Sequence, residues 1–289
     1  MSDIEALASG KGSADENFPV ASALIAAKHR PAVLAFYRVA RLSDDVADHP
    51  CLAPAEKLRR LDAVETSLTG VDEAVPAAAA LRRVLAERGL TDRHMLDLLT
   101  AFRRDAVKTR YADWGELMDY CRYSAAPVGR FVLDVHGESR TAWPASDALC
   151  SALQVINHLQ DCGKDYRDLD RVYLPLDALE AEGLDVRVLG EAKGGPALRR
   201  VIARLADRTA DLLDAARPLA GAVRDFRLSL EIGVIHTLAG SLVRRLMIRD
   251  PLSEKVHHSK GEAVGVALKG AAATFAARLS ARPARQAEA

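Results

Sequence analysis

The amino-acid sequence predicts an all-α protein, folded as one domain over residues 1–289, on three observations. Alternating β-branched runs are absent, while alanine, leucine and arginine dominate. Apolar residues recur at the three- and four-residue spacing of a helix face. Pro31, Pro54, Pro76, Pro144, Pro175 and Pro196 stand near plausible helix starts, where a missing N–H leaves no bond unmade.

In chain order, the opening MSDIEALASGKGSADEN has no basic segment followed by an apolar one, so no signal peptide is expected, and residues 1–14 read as flexible. The apolar run Ala32 to Phe36 opens a helix that should continue to Asp48. Leu81, Val84 and Leu85 form a further stripe, with Gly89 as its stop and Thr91 as the next N-cap. The stretch from Ala148 to Ile156 is largely apolar and therefore expected to be buried. Residues 167–195, rich in Asp, Glu and Gly, read as a loop with one short helix. A helix opens at Pro196 and aligns Leu198, Val201, Ile202, Leu205, Leu212 and Leu213. Ile232 to Leu242 is an apolar helix, and the tail 282–289 reads as flexible. Roughly ten helices result, an architecture that by itself dictates no chemistry.

Composition excludes several functions. Lys+Arg and Asp+Glu are both 40, so the net charge is zero and no nucleic-acid partner is expected. Cys51, Cys121, Cys150 and Cys162 have no zinc-like spacing and read as reduced cytoplasmic thiols. The longest apolar stretch, Ala263 to Ala277, is interrupted by Lys269, so any membrane contact should be peripheral.

Two acidic segments carry chemistry. In the first, Asp44 and Asp48 share a helix face, Asp45 lies beside them, and Arg41 sits one turn earlier. Carboxylates one turn apart repel unless a cation lies between them, although an acidic helix end alone is as often a solvated surface. In the second, Asn157, Asp161 and Asp165 repeat at four-residue spacing, with Gln154 one turn before. That row emerges from the apolar stretch, and carboxylates leaving a buried helix need a partner or a metal. Together the rows offer oxygen ligands for Mg²⁺, whose remaining positions are commonly filled by phosphates. Arg38, Arg41, Lys164, Arg167 and Arg171 stand nearby to meet a diphosphate, although each alone is more often a surface residue.

These residues resemble the squalene/phytoene synthase family of head-to-head prenyl synthases. Asn17-Phe18 resembles the family's N-terminal block, and Tyr37 to Asp48 its first aspartate-rich motif. Asp119 to Gly129 resembles its Tyr-Cys…Val-Gly block. Gln154 to Asp165, followed by Arg171-Val172-Tyr173-Leu174-Pro175, resembles its second motif and the segment after it. Asp15 to Ser22, Ala101 to Asp105, Pro127 to Arg130 and Gln160-Asp161 are closest to the hydroxysqualene synthase branch of bacterial hopanoid biosynthesis. The chain departs from the wider pattern at Ala126-Pro127 and at Asp170, where glycine is frequent.

The resemblance implies an isoprenoid synthase helical bundle around a central cavity. It implies Mg²⁺-dependent ionisation of presqualene diphosphate and capture of the cation by water, giving hydroxysqualene and diphosphate. A phytoene, squalene or presqualene diphosphate synthase, or a catalytically silent helical partner subunit, remains the alternative. On this reading Asp44, Asp45, Asp48, Asn157, Asp161 and Asp165 serve the metal, with Asp45 in an orienting role. Tyr37, Arg41, Tyr120 and Arg171 are the candidate catalytic residues. Phe18, Phe36, Arg38, Leu133, Gln154, Gln160, Lys164, Tyr173 and His236 are candidates to meet the substrate, each aromatic being equally at home in a core and Leu133 more often a core residue than not. Tyr120, His236 and Gln160 are the candidates to direct the water. The expected location is cytoplasmic. Contact with the inner face of the membrane through Lys269 to Arg285, and with neighbouring pathway enzymes, is left open.

Overall fold

Proline at the first helical turn recurs along the chain. It starts α1 (Arg30–Asp48), α2 (Pro54–Thr69), α3 (Pro76–Arg88), α6 (Ala126–Val135), α7 (Trp143–Leu169) and α9 (Pro196–Ala216) in this computed structural model, which describes residues 25–285. The remaining helices are α4 (Arg93–Asp105), α5 (Trp114–Ser124), α8 (Leu176–Glu180), α10 (Leu219–Ala222), α11 (Phe226–Leu246) and α12 (Lys260–Arg285). No strand occurs among the described residues, where a single parallel bridge joins Arg110 and Val172.

Local chemistry explains the ends. Gly70 and Gly89 close α2 and α3 in the left-handed conformation that a Cβ disfavours. Asp113 and Asp225 cap α5 and α11 by accepting the Glu116 and Leu228 N–H groups. Asp92, rather than Thr91, precedes α4, while the Thr91 hydroxyl accepts the Arg93 N–H at 3.1 Å. Across 167–195, α7 runs on to Leu169, and α8 is followed by a 3₁₀ turn at Val186–Gly190. α12 carries the backbone to Arg285, through the first residues of the expected tail; 286–289, Phe18 and residues 1–14 lie outside the described residues.

The helices bury two hydrophobic clusters. Val33, Phe36, Val39, Leu42 and Val46 of α1 pack with α2, α3, α4 and the α6 residues Phe131 and Val135. Leu149, Val155, Ile156 and Leu159 of α7 pack with α5, α8, α9, α10 and α11. Each such side chain contributes about 1.5–3 kcal/mol by leaving water. α6 serves both clusters, because Leu133 faces the second. α5 and α6 are separated at Ala125 (φ −122°, ψ −51°), just before Pro127, which bends the chain where that proline removes a donor.

By length and composition α11 is long and apolar enough to cross a membrane, yet it packs here against α9, α10, α12 and α7. The α11–α12 contact depends on missing side chains. A Cβ on Gly270 would lie 2.9 Å from the Gly233 carbonyl oxygen, a backbone atom that cannot step aside. Gly270→Val is therefore expected to cost about 1–3 kcal/mol, seen as a lower urea midpoint together with faster proteolysis of α12.

Candidate active site

α1 and α7 each present one acidic face and bury the other. On α1, Arg41 donates to Asp44 Oδ2 (2.9 Å) and Asp45 Oδ1 (2.6 Å). Asp45 is buried by that pair, while Asp44 and Asp48 keep about a third of their side chains open to solvent. On α7, Asn157, Asp161 and Asp165 are half-buried along one side, and Val155, Ile156, Leu159 and Cys162 fill the core on the other.

Arg171 joins the two helices. α7 ends at Asp170, which adopts φ 48°, ψ 39°, the one left-handed non-glycine residue described. The Asp170 carboxylate accepts from Arg110 Nη2 at 2.5 Å, which steadies that conformation. The chain then turns inward, and the Val172 N–H donates to the Thr109 carbonyl at 2.8 Å. Arg171 Nη1 donates to Asp48 Oδ1 (2.7 Å) and to the Tyr173 hydroxyl (3.2 Å), and Nη2 donates to the Asp105 carbonyl (3.0 Å). Arg171 is only 5% exposed. Burial opposes its charge, but Tyr173, Asp105 and Asp48 hold it above its ordinary value.

Beneath Arg171 lies a polar floor whose tyrosines, Tyr120 and Tyr173, belong to the second hydrophobic cluster. Asp105, at the end of α4, accepts hydrogen bonds from the hydroxyls of Tyr120 (2.6 Å) and Tyr173 (3.1 Å). Burial pushes its carboxyl up to about 6, against the pull of Arg171 and Tyr120. Burial and the Asp105 charge keep both tyrosines well above their usual range, so they stay neutral donors. His158 stacks on Tyr173 at 3.6 Å and meets Gln154 at 3.1 Å; burial, then Arg171, lowers it to about 3.

The acidic rows sense each other. Burial, then Asp48, pushes Asp44 up to about 8 in spite of Arg41, although 35% of its side chain reaches solvent. Burial, then Asp161, raises Asp165 to about 7, with Asp48 of the opposite helix adding to the shift and Arg171 opposing it. Oxygen donors held at this cost fit a hard divalent cation, which would relieve both the desolvation and the repulsion.

That strain has a measurable consequence. In chelator, the folded state holds protons on Asp44 and Asp165 that the unfolded chain has already released, so stability should fall as pH rises from about 6.5 to about 8. Below that window His158, held neutral, acts with the opposite sign. Solvent screening at Asp44 keeps the expected loss on the order of 1 kcal/mol. Thermal melts across the window should show the fall in chelator and its reversal by Mg²⁺.

The other expected site residues divide into groups. Tyr37 is half-buried and Arg38 exposed on α1. Phe36 is stacked on Phe131 at 4.0 Å inside the first cluster, and Leu133 is buried in the second, so both are core residues here rather than an open wall. Tyr120 sits in the polar floor beneath Arg171. Lys164 is exposed and paired with Asp168 at 3.0 Å. Gln160 is buried, and neither amide atom has a hydrogen-bond partner among the described residues. His236 approaches the Leu213 carbonyl at 2.8 Å and lines a cavity of about 260 Å³ with Ala216, Ile232 and Thr274, a lining that includes no residue of either acidic row.

The squalene/phytoene synthase family profile matches residues 12–262. A hydroxysqualene synthase from Rhodopseudomonas palustris is 58% identical over 257 residues, 89% of this chain and 88% of that protein. One from Zymomonas mobilis is 52% identical over 269 residues, 92% of this chain and 91% of that protein. Among solved structures, a squalene synthase from Alicyclobacillus acidocaldarius superposes with a TM-score of 0.70 at 33% identity, covering 83% of this chain and 90% of that one. A dehydrosqualene synthase superposes at 0.78 with 20% identity, covering 95% and 97%, a likeness of fold.

Proposed function

The chain belongs to the squalene/phytoene synthase family, and from that premise we propose that it is a hydroxysqualene synthase, ionising presqualene diphosphate and closing the reaction with water. The diphosphate chemistry is supported by Arg171, which emerges from the end of one acidic helix and grips Asp48 of the other. The choice of reaction is supported by relatives of that name that match at 58% and 52% identity over nearly the whole chain.

Asp44, Asp48, Asn157, Asp161 and Asp165 would hold Mg²⁺, with Asp45 keeping Arg41 oriented beside them. When bound, Mg²⁺ would neutralise the diphosphate as its carbon–oxygen bond breaks. Arg171 and Arg41 would receive charge on the departing oxygens, Arg171 being already charged and held rigid by three acceptors. The electron pair of that bond leaves with diphosphate. The cation then takes a new bond to a water oxygen, and one proton is released. Tyr37, half-buried on α1, would supply an aromatic face to the cation. The Gln160 amide, buried without a partner among the described residues, is suited to hold the water, since such a group costs stability until something satisfies it. Incubation with presqualene diphosphate and Mg²⁺, without a nicotinamide cofactor, should yield hydroxysqualene. Product from farnesyl diphosphate alone would instead assign the chain to a synthase that joins two prenyl diphosphates.

The apolar product also bears on location. Val264, Leu268, Phe275 and Leu279 are exposed along one face of α12, and Phe226 of α11 meets Phe275 at 6.0 Å. With Lys260 and Lys269 on the same helix, this face is suited to rest on an anionic bilayer surface. Flotation with anionic vesicles should carry the protein, and the double variant Leu268→Glu, Phe275→Glu should remain at the bottom.

A further inference from the structure

At the other end of α1 from its aspartates, three helix termini converge. His29 precedes α1, His136 follows α6 and Asp225 caps α11. One ligand-type atom from each lies within 4.8 Å of the other two. The two imidazole rings are 4.2 Å apart, tilted by 37°.

The hydrogen bonds settle which atoms are available. His136 Nδ1 lies 2.8 Å from the Val132 carbonyl, and a carbonyl can only accept, so Nδ1 carries the proton and Nε2 the lone pair. His136 Nε2 and His29 Nδ1 are both buried with no hydrogen-bond partner among the described residues. His29 is itself 92% buried, at 8% exposure. Asp225 accepts the Leu228 N–H at 2.9 Å, which leaves further lone pairs on its carboxylate. An imidazole that donates one nitrogen to a backbone carbonyl and leaves the other bare has the arrangement of a metal-ligating histidine.

We propose that His29, His136 and Asp225 bind one divalent transition-metal ion, Zn²⁺ being the best match, with water completing the shell. Two neutral imidazoles and a carboxylate are a borderline ligand set that suits Zn²⁺, Co²⁺ or Ni²⁺ and not the all-oxygen preference of Mg²⁺. Tetrahedral bonds of about 2.0–2.1 Å place ligand atoms roughly 3.4 Å apart, so the three groups need only close up by side-chain rotation. Burial, then His136, Lys28 and Arg88, lowers the His29 proton affinity and keeps its ring neutral. Lys28 and Arg88 oppose an incoming cation. Asp225 favours it, and so does the Glu138 carboxylate, which accepts the backbone N–H groups of Arg224 and Asp225.

This site is distinct from the acidic rows. Fifteen residues of helix separate His29 from Asp44, about 22 Å at the α-helical rise. The ion would clamp the start of the Asp44 helix and the end of α6 to the start of α11, joining elements of the two hydrophobic clusters.

The test uses the full chain, stripped with chelator, supplied with excess Mg²⁺ for the oxygen ligands and titrated with Co²⁺. One equivalent should bind with the visible bands of tetrahedral Co²⁺, should be displaced by Zn²⁺, and Zn²⁺ should raise the melting temperature. His136→Gln should weaken Co²⁺ binding at least about tenfold with an unchanged circular dichroism spectrum. Asp225→Asn retains the helix cap, because Asn caps as well as Asp, and should also weaken binding if His136→Gln fails to fold. Unaltered affinity in the folded variants, or no tetrahedral equivalent in the parent chain, overturns the proposal.

Discussion

Asp161→Ala and Asp44→Ala should each lower kcat by about 10²–10³-fold while the protein stays folded, the magnitude expected when one group that stabilises developing charge is removed. Both side chains are partly open to solvent. Burial and the neighbouring Asp48 charge push the Asp44 carboxyl up to about 8, so its removal lifts a burial penalty from the fold. In chelator, Asp44→Ala should therefore melt no lower than the parent, and the extra protection that Mg²⁺ gives the parent should shrink. Diphosphate release under saturating Mg²⁺, paired with melts with and without the ion, separates a lost ligand from a lost fold. Normal turnover in either variant would overturn the pairing of the acidic rows.

The largest effect on stability is expected from Asp105→Ala, about 3–5 kcal/mol, since it removes one partner from a buried charged network. Arg171 would keep Asp48 and a backbone carbonyl but lose the buried negative charge beside it. The hydroxyls of Tyr120 and Tyr173 would lose their shared acceptor. Asp105→Asn preserves an acceptor and should cost less. Urea unfolding should show a lower midpoint with an unchanged slope. A loss within 0.5 kcal/mol would mean that the floor under Arg171 is not a network.

The local parts of this fold were legible in the sequence. Prolines at helix starts, the stripes of α1 and α9, and acidic residues four apart are patterns confined to one or two turns, and the structure follows them. Long-range partners were not legible. Arg171 meets Asp48 across 123 residues and the Asp105 carbonyl across 66, and no helical period reports such distances. Asp105 stood in the sequence only as the end of an Ala-Phe-Arg-Arg-Asp run, with nothing to say that two tyrosines and an arginine would surround it. Phe36 and Leu133 show the same limit, because an apolar residue near an acidic row fits a wall and a core equally well until its neighbours are known. The His29, His136 and Asp225 cluster gathers three helix ends roughly a hundred residues apart in chain order, so spacing rules for metal ligands pass over it.

The left-handed Asp170 also determines how much the chain can vary beyond α7. Arg171 and Tyr173 are alternate residues of an extended segment, so both side chains fall on one side, toward Asp105, and Val172 falls on the other. Parity is therefore what the link preserves: a glycine at 170 could make the same turn, but one residue added or deleted there would point the guanidinium outward and bring a valine over the carboxylate. Natural length variation should spare this joint and collect instead where no side chain has to arrive on a given side.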